Sequence, residues 1–265
     1  MKRFFTEDFV TDLHSHTFFS HDGRESVENY VLHAIEKGDK RIGFSEHYDY
    51  DCYLCGNDTP LCNIDKYYAE IKRLREKYSG KIEILFGIEF GYSDEAVGKY
   101  KELSEKYPFD YIINSVHLTG GRDYAEKRAY TSDNKKSVYG KYLEDVKRSV
   151  NADYDWQIAA HIGYPSRYAP YEDRTLYYDD YKEIIDEILK TIIERGKYLE
   201  INASTKCSAI SVPDEGIVKR YAELGGKCVT YGSDEHDLRR YREKVAEIKE
   251  IADRYGLTLG YIKNV

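Results

Sequence analysis

The stretch FVTDLHSH, residues 9–16, carries a short apolar run into two histidines and sets a pattern that predicts the fold. Five later apolar runs also end in acidic or histidine side chains: FSEH (44–47), GIEFG (87–91), NSVH (114–117), AAHIG (159–163) and GSDEH (232–236). Parallel α/β barrels place their chemistry at the C-terminal ends of the strands. The six clusters therefore predict a barrel whose strand ends together form one multinuclear metal site.

Seven apolar runs have the length of buried strands, and amphipathic helices lie between them. The strands are predicted at Phe9–Leu13, Arg41–Ser45, Ile82–Ile88, Tyr111–Val116, Trp156–Ala160, Tyr198–Ile201 and Cys228–Tyr231, with an edge strand at Leu257–Ile262. The helices are predicted around Val27–Ile35, Ile64–Tyr78, Glu95–Tyr107, Lys136–Val150, Ile184–Ile192, Glu215–Leu224 and Arg239–Tyr255. This alternation predicts an α/β fold with a parallel sheet and right-handed crossovers, and a closed sheet suits the length of the chain.

Length and composition fit a single domain spanning residues 1–265. The chain is 41% hydrophobic and 33% charged. It has no apolar stretch near the roughly 18 residues of a membrane span and no signal-peptide pattern. We therefore expect a cytoplasmic protein with no membrane partner. A formal net charge of −8, without any basic block, argues against nucleic acid as a partner.

Three of the five cysteines, Cys52, Cys55 and Cys62, lie close together in one predicted loop. A structural zinc in that loop would lack a convincing fourth ligand. Reduced thiols are therefore the preferred interpretation.

The candidate metal ligands begin with His14 and His16, whose alternation along a strand sends both imidazoles to the same side. Asp234 and His236 repeat that spacing after the last barrel strand, which neighbours the first in a closed sheet. Glu89 ends an apolar strand, where an unpaired carboxylate is unfavourable. A bridging position between two cations about 3.5–4 Å apart would stabilise it. A salt-bridged core glutamate is the alternative.

Other polar residues in these clusters are less specific. His117 and His161 each follow a strand singly, and only their shared placement favours a ligand over a hydrogen-bonded core residue. Glu46 and Glu235 adjoin ligand candidates, and we expect them to support those ligands or to face solvent. His33 is interpreted as an ordinary helix residue.

These motifs, in this order, resemble those of the polymerase-and-histidinol-phosphatase (PHP) family. The match comprises H-x-H with a following S-x-[D/H], E-H after the second strand, G-x-E after the third, S-V-H after the fourth, a lone His after the fifth and a final D-x-H. It runs through almost the whole chain. The resemblance implies a distorted seven-stranded, TIM-like (β/α)7 barrel that holds up to three metals.

The resemblance also implies a ligand set. The first ion would bind His14, His16, Glu89 and Asp234, the second Glu89, His117 and His161, and the third Asp22, His47 and His236. After Ser20, both His21 and Asp22 could supply a ligand, and the family spacing favours Asp22. We expect two or three divalent ions, and zinc, iron and manganese all suit imidazole and carboxylate ligands.

The segment GYPSRYAPY, residues 163–171, resembles the H-x5-R-Y-G-P-Y element of the monofunctional histidinol-phosphate phosphatases, with Ala169 in place of Gly. The E-I-N of residues 200–202 is also shared. This likeness implies that Arg167 binds the substrate phosphate through its paired donors. A surface ion pair of Arg167 with Glu172 or Asp173 is the alternative.

The implied activity is metal-dependent hydrolysis of a small phosphate monoester, histidinol phosphate, in histidine biosynthesis. Metal ions would activate water as the nucleophile. The expected catalytic residues are Glu89, Asp234, His236 and Arg167.

Several other activities share such a metal site. A PHP phosphodiesterase or exonuclease, acting on a nucleotide or oligonucleotide, would need a basic approach surface. A phosphotyrosine phosphatase would differ only in substrate. An amidohydrolase also opens on H-x-H, but many members use a lysine after the fourth strand, where this chain has NSVH. A full ligand set argues against a non-catalytic metal-binding domain.

Overall fold

In a computed structural model, seven parallel strands form a curled α/β sheet. The structure describes residues 3–6, 10–50, 60–130, 134–203 and 209–264. The strands are β1 (Arg3–Thr6), β2 (Arg41–Tyr48), β3 (Glu83–Gly91), β4 (Tyr111–Ser115), β5 (Leu118–Thr119), β6 (Arg122–Asp123), β7 (Ile158–Ala159), β8 (Tyr198–Asn202), β9 (Cys228–Gly232) and β10 (Thr258–Asn264). The main sheet has the order β1-β10-β9-β8-β7-β4-β3-β2, in which only β1 is antiparallel to its neighbour, and β5 and β6 form a separate hairpin. The predicted seven-stranded barrel-like fold is confirmed.

The helices between the strands follow the predicted apolar spacing. They are α1 (Val27–Lys37), α2 (Ile64–Lys77), α3 (Val97–Lys106), α4 (Lys135–Val150), α5 (Lys182–Glu194), α6 (Glu215–Glu223) and α7 (Val245–Arg254). Side chains that accept a backbone N–H begin several of them, such as Ser26 before α1 and Asn134 before α4. The last helix begins six residues later than predicted. Arg242 and Lys244 have positive φ angles of 52° and 54°, which a continuous helix does not allow.

The first predicted strand differs most from the structure. Around Asp12 and Ser15 the chain forms only single bridges, to Tyr231 and Glu235. The Asp12 carboxylate accepts the backbone N–H groups of His14 and Ser233, each at 3.1 Å, and so removes donors that a regular ladder would use. The seventh parallel strand is instead β10, which was predicted as an edge strand.

Residues 12–16 nevertheless close the sheet at the C-terminal end of its strands. The amides of Gly43 and Ser45 on β2 donate to the carbonyls of Asp12 and Ser15, both at 3.0 Å. On the other side, the amide of His16 donates to the carbonyl of Glu235, just beyond β9. The closing segment therefore carries His14 and His16 between β2, at one edge of the sheet, and the C-terminal end of β9.

A small apolar cluster fills the interior of the curled sheet below these ends. Its buried members are Leu13, Leu85, Tyr111, Ile113, Ile158, Ala160, Tyr261 and Ile262. Tyr111 is its largest fully buried member, and its hydroxyl donates to the carbonyl of Phe44 at 3.0 Å. Helices and the outer sheet face enclose the larger core. Because the interior is packed with apolar side chains, the large polar cluster lies at the C-terminal ends of the strands.

Cys52 and Cys55 lie outside the described residues, whereas Cys62 and Cys228 are free thiols. Burial raises the pKa of the Cys62 thiol well above its usual value, which keeps it protonated. Among the described helices, none has the length and apolar character needed to span a membrane.

Gly87 on β3 should be essential for packing Tyr111. A Cβ at this position would overlap the Tyr111 ring and lie 2.6 Å from the Phe44 carbonyl oxygen. We expect Gly87→Ala to lower the free energy of unfolding by about 1–3 kcal/mol, as overpacked cores do. Urea unfolding followed by circular dichroism measures this. Gly140→Ala in α4 is the control, because its Cβ meets nothing within 4 Å. Equal stability of both variants would refute the packing argument.

Candidate metal centre

Glu89 lies at the centre of the polar cluster at the strand ends. It is completely buried near the end of β3. Five imidazoles have a nitrogen within 3.6 Å of one of its carboxylate oxygens: His47 Nδ1 at 2.7 Å, His161 Nε2 at 3.0 Å, His117 Nε2 at 3.2 Å, His14 Nε2 at 3.3 Å and His16 Nε2 at 3.6 Å. Side chains from separate strands and the closing segment thus converge on one carboxylate.

Asp234 approaches the same cluster from beyond the end of β9. Its Oδ1 lies 3.3 Å from Nε2 of His16 and 3.7 Å from Nε2 of His14. Its Oδ2 accepts a hydrogen bond from Nη1 of Arg167 at 2.6 Å. The first predicted group of ligands is therefore assembled around His14 and His16.

A third group lies toward the mouth of the site. Nε2 of His236 is 3.1 Å from Oδ2 of Asp22 and 3.3 Å from Nε2 of His47. His21 is further out, with Nε2 4.0 Å from Asp22. Of the two candidates after Ser20, Asp22 is the one that contacts another predicted ligand closely.

Three of the imidazoles are oriented by contacts at Nδ1. His14 Nδ1 contacts Glu200 at 2.6 Å, and His117 Nδ1 contacts Asp49 at 2.8 Å. His16 Nδ1 contacts the hydroxyl of Ser20 at 3.2 Å. Such contacts fix the ring and leave Nε2 directed at the centre, as is usual for histidine ligands of metals.

Asp49 and the role of Glu200 were not predicted from the sequence. Asp49 follows His47 at the alternate position, so that both can face the same side near the end of β2. Glu200 is a carboxylate within an apolar strand, which is the signal that identified Glu89. The sequence pattern was present in both cases, but nothing in it indicates which imidazole each carboxylate contacts.

Unpaired polar atoms test whether a metal fits this site. Nε2 of His14, Nε2 of His16 and Oε2 of Glu89 are buried and make no well-aligned hydrogen bond within the described part of the chain, although Nδ1 of His47 lies 2.7 Å from that oxygen of Glu89. Unpaired buried polar atoms are unfavourable unless another group satisfies them. Five groups of three histidine or acidic residues each place ligand atoms within 4.8 Å of one another. The residues therefore fit divalent cations.

Charge in the cluster favours an ionised Glu89 and a neutral His16, whereas neighbouring carboxylates outweigh burial and raise the pKa of His14 and His117 well above the usual value. Burial opposes ionisation of Glu89, but His14, His47 and His117 outweigh it and hold the Glu89 pKa well below its usual value. Burial, reinforced by His47 and His236, holds the pKa of His16 well below its usual value. Anionic carboxylates and neutral imidazoles are the forms that bind metals.

Glu46 and Glu235 are buried, so of the two expected roles they have the supporting one and do not face solvent. Glu46 accepts hydrogen bonds from the amide of Thr17 at 3.0 Å and from the hydroxyl of Ser20 at 2.6 Å. Glu235 accepts from the hydroxyl of Ser15 at 3.3 Å. Both hold the closing segment that carries His14 and His16. His33 lies outside the cluster, on α1.

The backbone is strained at two of the converging residues. His161 has a φ of 29° and Asp234 a φ of 53°, values that non-glycine residues rarely adopt. Hydrogen bonds hold both in place, since the amide of His161 donates to Glu200 at 2.9 Å and that of Asp234 to the carbonyl of His14 at 2.8 Å. Strain of this kind is typical of functional sites.

Arg167 is part of the site and does not lie on the surface. It is 3% exposed and, with Tyr164, Asp22, His117 and His236, lines a cavity of ≈ 340 Å³. The alternative pairing with Glu172 or Asp173 is therefore wrong. The cavity combines a guanidinium with the proposed ligands, an arrangement that can bind a phosphate next to metal ions.

Comparisons with known proteins agree with this geometry. The model of the PHP domain matches residues 12–204. A probable histidinol-phosphatase of Clostridium acetobutylicum is 37% identical over 86% of this chain and 86% of its own length. The histidinol-phosphatase of Lactococcus lactis is 31% identical over 86% of this chain and 85% of its own length.

A solved structure extends the comparison to the fold. The histidinol phosphate phosphatase of Lactococcus lactis, complexed with zinc, L-histidinol and phosphate, superposes with a TM-score of 0.85 at 28% identity, covering 94% of this chain and 95% of the other. The family match spans well over half of the chain, and the relatives match over most of their length. The chain therefore belongs to the PHP-domain family.

Proposed function

We propose that the chain is a metal-dependent phosphatase that hydrolyses L-histidinol phosphate to L-histidinol and phosphate. The observation that carries this proposal is the convergence of the ligand set on Glu89, with Arg167 in the same cavity. The substrate follows from similarity to histidinol-phosphatases, one of which was solved with zinc, L-histidinol and phosphate.

The proposed ligand set uses three groups. His14, His16, Glu89 and Asp234 bind one ion, Glu89, His117 and His161 bind a second, and Asp22, His47 and His236 bind a third. The distances around Glu89 and Asp234 support the first two groups, and the contact of His236 with Asp22 supports the third. Two or three divalent ions are expected. Zinc is favoured by the solved relative, and iron and manganese remain compatible with the donors.

The metal ions would supply an activated water and neutralise charge on the phosphate. Arg167 contributes a permanent positive charge and paired donors for the phosphoryl oxygens. Burial opposes ionisation of Asp234, but Arg167 and His14 outweigh it and hold the Asp234 pKa well below its usual value. The hydroxyl of Ser115 donates to Oε1 of Glu89 at 2.5 Å and helps to keep that carboxylate oriented. No side chain is needed as a nucleophile.

Release of inorganic phosphate from histidinol phosphate tests the proposed activity. The purified, metal-analysed protein would be compared on histidinol phosphate, p-nitrophenyl phosphate, phosphotyrosine and a nucleoside monophosphate. We expect a kcat/KM for histidinol phosphate that is higher by orders of magnitude. Similar slow rates on all four substrates would contradict the assigned substrate while leaving phosphoesterase chemistry in place.

Glu89→Gln should remove most of the bound metal and nearly all activity, because the substitution neutralises the carboxylate that all five imidazoles approach. Elemental analysis after dialysis and the phosphate-release assay measure the two effects. Glu250→Gln, on the exposed side of α7, is the matched control and should change neither. Full turnover with a normal metal content in Glu89→Gln would refute the bridging role.

Arg167→Ala should chiefly raise KM. Hydrogen bonds to charged groups contribute roughly 1.5–3 kcal/mol, which corresponds to about a ten- to hundredfold increase. Steady-state kinetics measures it, with circular dichroism to verify folding, because Asp234 and Asn202 also lose a partner. The control is Arg73→Ala on α2, where the arginine pairs with the partly buried Glu28 and Glu70. An unchanged KM would place the phosphate elsewhere.

A further inference from the structure

Two buried polar residues at the end of β8 are not in the proposed ligand set. Glu200 is 1% exposed and Asn202 is 0% exposed. Because they are two positions apart on one strand, their side chains lie on the same face of the sheet. Both contact residues of the proposed site, and neither contact requires a metal.

Glu200 holds two ligands that come from different parts of the chain. Its Oε1 lies 2.6 Å from Nδ1 of His14, and its Oε2 accepts the backbone N–H of His161 at 2.9 Å. Gly232 on the neighbouring strand makes room for this contact, because a Cβ there would lie 2.7 Å from Cβ of His14 and would overlap the carboxylate. One carboxylate therefore sets the relative position of His14 and His161.

Asn202 connects that carboxylate to Arg167. Its Nδ2 donates to Oε2 of Glu200 at 3.0 Å, and its Oδ1 accepts from Nη2 of Arg167 at 2.8 Å. An ionised glutamate only accepts and an arginine only donates, so only this orientation of the amide satisfies both neighbours. An asparagine suits this position because its amide both donates and accepts.

The contacts form a continuous chain across the site. It runs from His14 through Glu200, Asn202 and Arg167 to Asp234, whose Oδ1 returns to within 3.7 Å of Nε2 of His14. The phosphate-binding side and the metal-binding side of the site are thus tied to the same two residues of β8.

We propose that Glu200 and Asn202 are positioning residues that fix the guanidinium of Arg167 relative to the metal ligands His14 and His161. Asn202 acts on phosphate binding through Arg167, and Glu200 acts on metal binding through His14 and His161. The inference rests on the proposed function, in which Arg167 binds phosphate and the histidines bind metal.

Binding of inorganic phosphate to the metal-loaded protein tests the role of Asn202. We expect Asn202→Ala to keep its metal content and to bind phosphate about tenfold more weakly by isothermal titration calorimetry. In an Arg167→Ala background, Asn202→Ala should cause no further loss, because residues that act through one another are not additive. An equal loss with and without Arg167, or no loss at all, would overturn this role.

Asn202→Asp covers the case in which the alanine variant does not fold. It keeps the size of the side chain and an acceptor for Arg167, but it cannot donate to Glu200 and places a second carboxylate beside it. We expect the weaker phosphate binding to depend on Arg167 here as well. Phosphate affinity equal to that of the unmodified protein would contradict the proposal.

Metal affinity tests the role of Glu200. Loss of a carboxylate that orients a histidine ligand typically weakens metal binding by about 10–100-fold, and we expect that range for Glu200→Gln in competition with a chromophoric chelator. Thr230→Val is the matched control. Thr230 pairs with Glu200 in the sheet register, is buried, and has a hydroxyl without a hydrogen-bond partner among the described residues. Equal metal affinity in both variants would refute the role.

These measurements separate failure of the inference from failure of the proposed function. Neither uses turnover of histidinol phosphate, so a protein inactive on that substrate would still give both binding constants. If Arg167→Ala left phosphate affinity unchanged, the proposed phosphate site would be wrong, and the role of Asn202 would fail with it. The metal measurement on Glu200 would stand on its own result.

Discussion

The complete burial of the Glu89 carboxylate is the constraint on which the site depends. An isolated buried carboxylate is disfavoured by several kcal/mol, and the fold meets that requirement by surrounding it with imidazole nitrogens from separate segments. The same arrangement leaves ligand atoms of His14, His16 and Glu89 itself without a well-aligned hydrogen bond among the described residues. A cluster that is unfavourable without cations is one that binding of cations stabilises.

A second layer of buried carboxylates holds the first in place. Asp49 orients His117, Glu200 orients His14, and Glu46 holds the loop of Thr17 and Ser20. Glu200 has a further role, because it also accepts the backbone N–H of His161 and so supports the positive φ of that residue. Contacts within the protein therefore fix the positions of the ligands, and a hydrolytic metal site requires preorganisation of this kind.

Features that follow from apolar periodicity were predicted from the sequence, whereas a conformation set by side-chain hydrogen bonds to the backbone was not. Strands β2, β3, β4, β8 and β9 lie close to their predicted positions because apolar runs and helical spacing are local signals. The closing segment near Asp12 was predicted as a strand, since its composition is strand-like. The Asp12 carboxylate instead accepts hydrogen bonds from the backbone N–H groups of His14 and Ser233. No local pattern predicts that this side chain competes with the strand ladder for backbone donors.

Local sequence patterns were enough to predict the order of strands and helices, the residue types at the strand ends and the family to which the motifs belong. All of these follow from short-range patterns, namely apolar runs, helical spacing and short motifs. The tertiary structure alone decided that Asp49 and Glu200 orient the imidazoles, that Asn202 joins Glu200 to Arg167, and that Asp22 rather than His21 contacts His236. These pairings join residues far apart in the chain, and only the curvature of the closed sheet brings such distant strand ends within hydrogen-bonding distance.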